Sequence, residues 1–428
     1  MDDLQGMPKK KKLHYGYIIV VAGFLTQVIL VSSQHSLGLT LVDIQETLGV
    51  SFAEVGLLSS YYGLVYAGAA FIWGWLSDRF GPRKSLTCSG ALASIGLFLF
   101  GLFGGTSLTI ALITYTIVGF GCAGIFLATL PKLIAAWFVE EKRGHALRFV
   151  SPGGAIASMV LGVVMPLGVA ASSWQTCYMV IGVVAAVVTT GFFFLLRDDP
   201  SQKGLTPVGS PPDTPVRSSI KQESGATLSQ FVTVLKKPLV WHLGIMYIIY
   251  QLAYSTQVTY YVTSIRTSGY SPLEAGLAMT ISSFVAIFFM QLWGPLSDRL
   301  ERKSVLAIGA FGSAIVAVSY FFILQNNPNL FICYLCVALM QGFYGITPVF
   351  MAAFADYFPG ELRGTASGVI STLSLVGRYG GPFLSGLCID AAGGRVAFAF
   401  IFSASASVVA GGIGLTWPRL RKKASEGK

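Results

Sequence analysis

Long, nearly uncharged apolar runs follow one another along this chain, and they leave few folds open to it. Twelve of them reach about 20 residues or more, the length of helix that crosses a ~30 Å hydrocarbon core. They fall at roughly 14–40, 52–77, 84–104, 107–138, 144–168, 174–196, 239–265, 272–297, 303–323, 330–357, 364–388 and 396–417. In lipid every backbone N–H and C=O needs a partner within the chain, which leaves helices or closed barrels. The runs are continuous rather than alternating, so helices are expected. Composition agrees: charged residues make up 11% of the chain and hydrophobic ones 54%, whereas soluble domains carry about 25% charged residues. The expected fold class is an all-α polytopic membrane protein with twelve transmembrane helices, embedded in a lipid bilayer.

A net charge of +10 raises nucleic acid as a partner, but the placement of the charge argues against it. Lys9–Lys12, Arg79, Arg83, Lys84, Lys142, Arg143, Lys236, Lys237, Arg299, Arg302, Lys303, Arg363 and the tail Arg419–Lys423 all fall on one side of the twelve spans. The opposite loops hold Arg266 and Arg395. This is the positive-inside pattern, which puts both termini in the cytoplasm and the chain in a cell (inner) membrane. The basic Lys9–Lys12 before span 1 resembles a secretory signal, but the run that follows is too long and lacks a small-residue cleavage site. Six cysteines lie in the spans, and the Cys333-x-x-Cys336 pair has no nearby His or second pair, so packing rather than a disulfide or zinc site is expected.

The chain also repeats itself. "GWLSDRFGPRKSL" from Gly74 returns as "GPLSDRLERKSVL" from Gly294, 220 residues later, with one residue deleted after Leu300. The same offset aligns "LGVSFAEVGL" (48–57) with "SGYSPLEAGL" (268–277) and "WFVEEKRGHA" (137–146) with "YFPGELRGTA" (357–366). Three anchors at one offset describe a duplicated six-helix unit. The expected organisation is a tail (1–13), a six-helix bundle (14–196), a Pro-, Ser- and Gly-rich cytoplasmic linker that cannot bury a core (197–238), a second six-helix bundle (239–417) and a tail (418–428).

The duplicated S-D-R loops, with an R-G-x-A at the starts of spans 5 and 11, resemble the signature of the major facilitator superfamily. The resemblance covers the chain apart from tails and linker. It implies a secondary transporter whose halves rock around a midplane site. Asp78 and Asp298 stand at helix ends, where a carboxylate can cap a neighbouring helix. Arg79, Arg83, Arg299 and Arg302 supply charges able to hold carboxylates or phosphates. Formed in one global state and broken in the other, such contacts make a conformational latch; the alternative is that the charges only set topology.

The resemblance further implies that spans 1, 4, 7 and 10 line the cavity. Span 1 offers Gln27, Gln34 and His35. Span 7 carries a stripe of Tyr247, Tyr250, Gln251, Tyr254, Gln257 and Tyr261, span 10 has Gln341 and Tyr344, and span 4 is nearly bare. Tyr62 and Tyr66 of span 2 can reach the same space. A tyrosine stripe is either packing or a wetted wall, and the interleaved glutamines favour the wall. Three basic residues lie within spans. Lys132 and Arg148 sit near enough to the ends to snorkel or to pair with Glu140 or Glu141. Arg378 does not: it lies about 21 Å of helix rise beyond the start of span 11. No acid sits at its depth, and an unpaired arginine at the bilayer centre costs at least about 2.5–3.5 kcal/mol. A substrate carboxylate held bidentately by the guanidinium answers that cost; carbonyls and water around a structural arginine are the alternative. Gly377, Gly380 and Gly381 beside it allow close approach of backbone or ligand.

Within the superfamily, "HYGYIIVVAGFL" (14–25) is similar to both the monocarboxylate porters and the oxalate/formate exchangers. "FVAIFFMQLWG" (284–294) resembles a porter segment bearing an Asp and an Arg four residues on, but here those positions are Ala286 and Met290. His35 falls about where the porters carry a lysine. The exchangers use basic residues on spans 8 and 11, of which only Arg378 is present here. A single fixed charge suits a small organic monocarboxylate, bound by Arg378, Gln34, His35, Tyr62, Gln251, Tyr254, Gln341 and Tyr344. Transport is expected by alternating access, as proton symport or anion exchange. His35 is the candidate for a coupling proton, or is hydrogen-bonded to Gln27 or Ser32 and does not titrate. A sugar acid, a dicarboxylate or an amphipathic export substrate are alternative cargoes. A non-transporting sensor would want a signalling domain that the tails are too short to supply. No nucleophile–base set, metal cluster or phosphate-cradling loop points to an enzyme, no cofactor is expected, and the expected state is a monomer.

Overall fold

The computed structural model describes residues 14–211, 228–326, 328–358 and 360–416. Lys9–Lys12, residues 212–227 of the linker, the basic tail at 419–423 and the side chain of Arg363 lie outside the described residues. The first half contains α1 (Gly16–Leu48), α2 (Phe52–Phe80), α3 (Pro82–Phe103), α4 (Leu108–Ala123), α5 (Leu130–Trp137), α6 (Glu140–Val150), α7 (Pro152–Ala171) and α8 (Trp174–Leu195). After the short α9 (Leu228–Leu235), the second half contains α10 (Pro238–Thr267), α11 (Pro272–Arg299), α12 (Arg302–Asn326), α13 (Leu330–Tyr344), α14 (Thr347–Tyr357), α15 (Gly360–Ala391) and α16 (Phe398–Leu415).

The twelve spans are present, three of them broken. Span 4 passes through a π turn at Gly124–Thr129, just ahead of Pro131. Span 5 divides at Ser151–Pro152, and span 10 at Gly345–Ile346, ahead of Pro348. Each proline lacks the N–H of an i→i−4 bond and crowds the carbonyl four residues back. Nine helices among the described residues are long and apolar enough to cross a membrane. At 30 and 32 residues, α10 and α15 are also long enough, but they carry the polar groups of the cavity described below. Side chains such as Leu64, Phe71, Val187, Ile315 and Phe331 cover the outside, as a lipid-facing surface requires.

The duplication is visible at the level of single bonds. Ser51 and Glu54 form a capping box at the start of α2, and Ser271 and Glu274 form the same box at the start of α11. In both, the acid accepts from the serine N–H at 2.8 Å and the hydroxyl accepts from the acid's N–H at 3.3 Å. The preceding turns use Gly49 at φ +64° and Gly269 at φ +92°, values that favour glycine. Trp73 Nε1 donates to Phe120 O at 2.8 Å, and its repeat mate Trp293 donates to Gly342 O at 2.9 Å.

The halves meet through α2 against α15, α7 against α11 and α1 against α10. Two of these seams are repeat mates. A Cβ on Gly56 would lie 2.8 Å from Pro382 O, and one on Gly276 would lie 2.2 Å from Gly162 O. Only glycine allows backbones this close. The beginning of the linker departs from the expectation of an unpacked segment. Asp198 Oδ1 accepts from the Arg83 N–H at the start of α3 (2.6 Å), and Asp199 is buried. Val208 N–H donates to Trp137 O at 2.8 Å, and His14 Nε2 lies 3.1 Å from Thr206 O. Backbone pairing and an acidic helix cap fasten this stretch to the first half, contacts that composition does not reveal.

Candidate substrate-binding site

Midway along the seam the halves share a small cavity of about 50 Å³. Its wall is Gln34 and His35 of α1, Ser59 and Tyr62 of α2, Tyr115 of α4, Tyr254, Ser255, Val258 and Thr259 of α10, and Arg378, Tyr379 and Pro382 of α15. Both halves contribute, and the polar groups converge from five helices.

Arg378 is brought there by close packing of its helix. A Cβ on Gly377 would lie 1.8 Å from Ile248 O, and one on Gly381 would lie 2.6 Å from Leu252 O, so α15 rides directly on the backbone of α10. Gly380 faces open space and serves no such contact. From this base Arg378 Nη2 donates to Gln34 Oε1 at 3.1 Å, and its guanidinium carbon lies 5.7 Å from the centre of the Tyr254 ring. Among the described residues no carboxylate comes within ion-pair distance of it. Gln34 uses its other end too: Nε2 donates to Tyr379 OH at 2.9 Å and to Tyr62 OH at 3.4 Å. One amide therefore ties α1, α2 and α15 together. Tyr62, Tyr66, Tyr115 and Tyr379 stack around it with ring centres 5.4–6.0 Å apart.

The expected residues divide. Arg378, Gln34, His35, Tyr62 and Tyr254 share the cavity wall. Gln251, Gln341 and Tyr344 are not in it; all three are buried. Tyr344 OH pairs with Ser407 Oγ at 2.8 Å, and its ring packs on Tyr254 at 5.3 Å. Span 10 thus contributes no residue to the wall; Tyr254 of α10, packed on Tyr344, lines it. Span 4, expected to be bare, supplies Tyr115, whose hydroxyl donates to Ser33 O at 2.6 Å. His35 bonds neither Gln27 nor Ser32; its Nδ1 lies 2.8 Å from Ser158 Oγ. Tyr379, Ser59, Ser255 and Thr259 were missed. Tyr379 stood next to Arg378 in sequence, and Ser255 and Thr259 lie one and five residues after Tyr254 on the same helix.

The S-D-R loops bond within their own halves. Asp78 pairs with Lys132 Nζ at 2.5 Å, so Lys132 engages neither Glu140 nor Glu141. Arg302 Nε donates to Asp356 at 2.6 Å, with Asp298 at 3.4 Å from Arg302 Nη1. Arg79 lies over the Trp75 and Phe80 rings, the Arg83 side chain donates to Phe193 O, and Arg299 has no partner among the described residues. None of these contacts crosses the seam. The carboxylates that do reach across it lie at the other end of the bundle. Arg266 meets Asp43 in two bonds of 2.5 and 3.0 Å. Asp390 accepts from the Phe52 and Ala53 N–H groups at the start of α2, at 3.1 and 3.0 Å. Among the described residues the loops make no contact across the seam in this state, whereas the opposite end is bridged.

Known proteins agree with this architecture. The model of the Major Facilitator Superfamily matches residues 23–268 and 243–428. A probable sulfoacetate transporter of Cupriavidus necator is 24% identical over 364 residues, 82% of each chain. A probable galactarate/D-glucarate transporter of Escherichia coli is 23% identical, covering 89% of this chain and 90% of its own. Among solved structures, a nucleoside transporter superposes with a TM-score of 0.74 at 14% identity, over 94% of this chain and 99% of its own. With two six-helix halves, a shared central cavity and a family match along nearly its whole length, the chain is a membrane transporter and belongs to the Major Facilitator Superfamily.

Proposed function

We propose that the protein carries a small organic anion, with a single carboxylate anchored on Arg378, by alternating access between its two halves. The observation behind this reading is an arginine in the wall of a cavity shared by both halves, with no carboxylate to neutralise it among the described residues. Its planar fork suits a carboxylate held by two parallel bonds. Tyr62, Tyr254 and Tyr379 offer apolar faces and hydroxyls to the remainder of the molecule. The similarity to carriers of sulfoacetate and of galactarate or glucarate supports an anionic cargo. Those names describe dianions, and the single arginine here favours one carboxylate. The wall holds no acid, which favours exchange of one anion for another; proton symport would rest on His35. By the positive-inside pattern the S-D-R loops face the cytoplasm, so the bridged end faces out.

The test is uptake of small carboxylates by the purified protein in proteoliposomes. Arg378→Gln is expected to lower uptake at least tenfold while the thermal midpoint stays near that of the parent. Undiminished uptake by that variant removes the anchor. Preloading vesicles with unlabelled acid, against imposing a pH difference, separates exchange from symport.

A further inference from the structure

Ser158 is the repeat counterpart of Arg378, 220 residues earlier, and it too reaches α1. Arg378 bonds Gln34, whereas Ser158 bonds the next residue, His35, at 2.8 Å. Ser158 is only 3% exposed, and its Oγ also lies 3.1 Å from Gly154 O. Ser158 Oγ thus has two partners for one hydroxyl proton, a carbonyl that can only accept and a ring nitrogen that can do either. With the proton on Gly154 O, Oγ accepts from His35 Nδ1–H and the ring lone pair lies on Nε2; with it on Nδ1, the ring takes the opposite tautomer. His35 is half-buried in the cavity wall, and no group among the described residues pairs with its Nε2. The wall thus presents a cation at Arg378 and, separately, an unmatched ring nitrogen at His35.

Resting on the anion-carrier reading above, we propose that His35 is a specificity-determining residue. Its Nε2 accepts a hydrogen bond from a hydroxyl of the acid held by Arg378, and Ser158 is the positioning residue that keeps the lone pair turned to the cavity. The substrate class is therefore a hydroxy acid. An acid without the hydroxyl leaves Nε2 desolvated and unpaired on binding, and sites that hydrogen-bond a substrate group reject analogues lacking it on that ground.

The experiment compares matched acids on the full-length protein in detergent: lactate against propionate, and 3-hydroxybutyrate against butyrate, read as thermal stabilisation. The parent is expected to respond to the hydroxylated member of at least one pair at a concentration about tenfold lower than to its deoxy partner. His35→Phe should bind both members equally, His35→Gln should keep part of the preference through its amide oxygen, and Ser158→Ala should narrow it. A merely structural role would weaken both members of a pair alike. The four histidines also allow ¹⁵N-histidine spectra, in which His35 should carry its proton on Nδ1 in the parent and lose that bias in Ser158→Ala. Equal responses within both pairs, or a preference that survives His35→Phe, overturn the assignment of the hydroxyl while leaving the anion carrier standing. Acids that stabilise the Arg378→Gln variant as well as the parent overturn the carrier reading itself, and this inference with it.

Discussion

Arg378 is tolerable where it stands without being neutralised, and that combination is what a binding site for an anion needs. Burying it costs about 2.5–3.5 kcal/mol on insertion scales. A hydrogen bond from a charged group contributes about 1.5–3 kcal/mol, and a cation–π contact about 0.5–2 kcal/mol. The Gln34 bond and the Tyr254 ring therefore roughly offset the cost, yet leave the full positive charge facing the cavity. Gln34→Glu tests this directly, because it supplies the missing acid at nearly the same shape. We expect the thermal midpoint to hold or rise while anion uptake falls at least tenfold, since the new carboxylate occupies the fork. Uptake at the parental KM would show that Arg378 does not hold the substrate. Arg378 could be singled out from sequence because one charge in a long apolar run has few bland explanations. Tyr379 and Tyr115 could not, because an aromatic residue in a membrane span looks the same whether it faces lipid, packing or a cavity. Gln251 and Gln341 stand outside the wall for the converse reason: a glutamine in a span suggests a polar surround, yet both are buried away from the cavity, and Gln341 Nε2 has no partner among the described residues.

The placement of α15 depends on glycines whose neighbours are backbone, and a backbone cannot move aside as a flexible side chain can. Gly377→Ala puts a methyl where Ile248 O already lies, 1.8 Å from the built Cβ, so α15 and α10 must separate. Overpacking of this kind costs about 1–3 kcal/mol. The expected result is a thermal midpoint lowered by several degrees in detergent, with anion uptake reduced because Arg378 moves with its helix. Gly380→Ala, with nothing within 4 Å of the built Cβ, should leave the midpoint unchanged. Equal midpoints for the two variants would show that the helices are not held at this distance. Sequence located both helices but not their contact, since glycine is common in membrane spans for several reasons. It also passed smoothly over the breaks in spans 4, 5 and 10. Hydropathy averages over the prolines, while the backbone responds to each missing N–H at Pro131, Pro152 and Pro348.

At the scale of the molecule, the duplication was legible because it is written three times at one offset, and the matching capping boxes and glycine seams follow from it. What sequence could not supply was the state. Charges at the S-D-R loops suggest a latch there, yet among the described residues the carboxylates that reach across the seam are Asp43, to Arg266, and Asp390, to the start of α2, at the other end. Asp43 and Arg266 keep only 16% and 14% of their side-chain surface exposed. Breaking such a pair is worth on the order of 1–3 kcal/mol, less than for full burial, and a carboxylate at a helix start about 0.5–2 kcal/mol. The first shifts a two-state equilibrium about fivefold to 150-fold and the second about twofold to thirtyfold. Asp43→Asn and Asp390→Ala should therefore favour the form open at that end. The readout is a cysteine at Ser59, in the cavity wall, with the native cysteines replaced. Its labelling by an impermeant maleimide added at the face opposite the S-D-R loops should speed up at least fivefold in either variant. Exchanging the charges, Asp43→Arg with Arg266→Asp, should restore slow labelling if the pair itself holds the end closed. Labelling that stays slow in both single variants would place the closing contacts in the glycine seams at Gly56 and Gly276 instead, where helix backbones, not charges, meet.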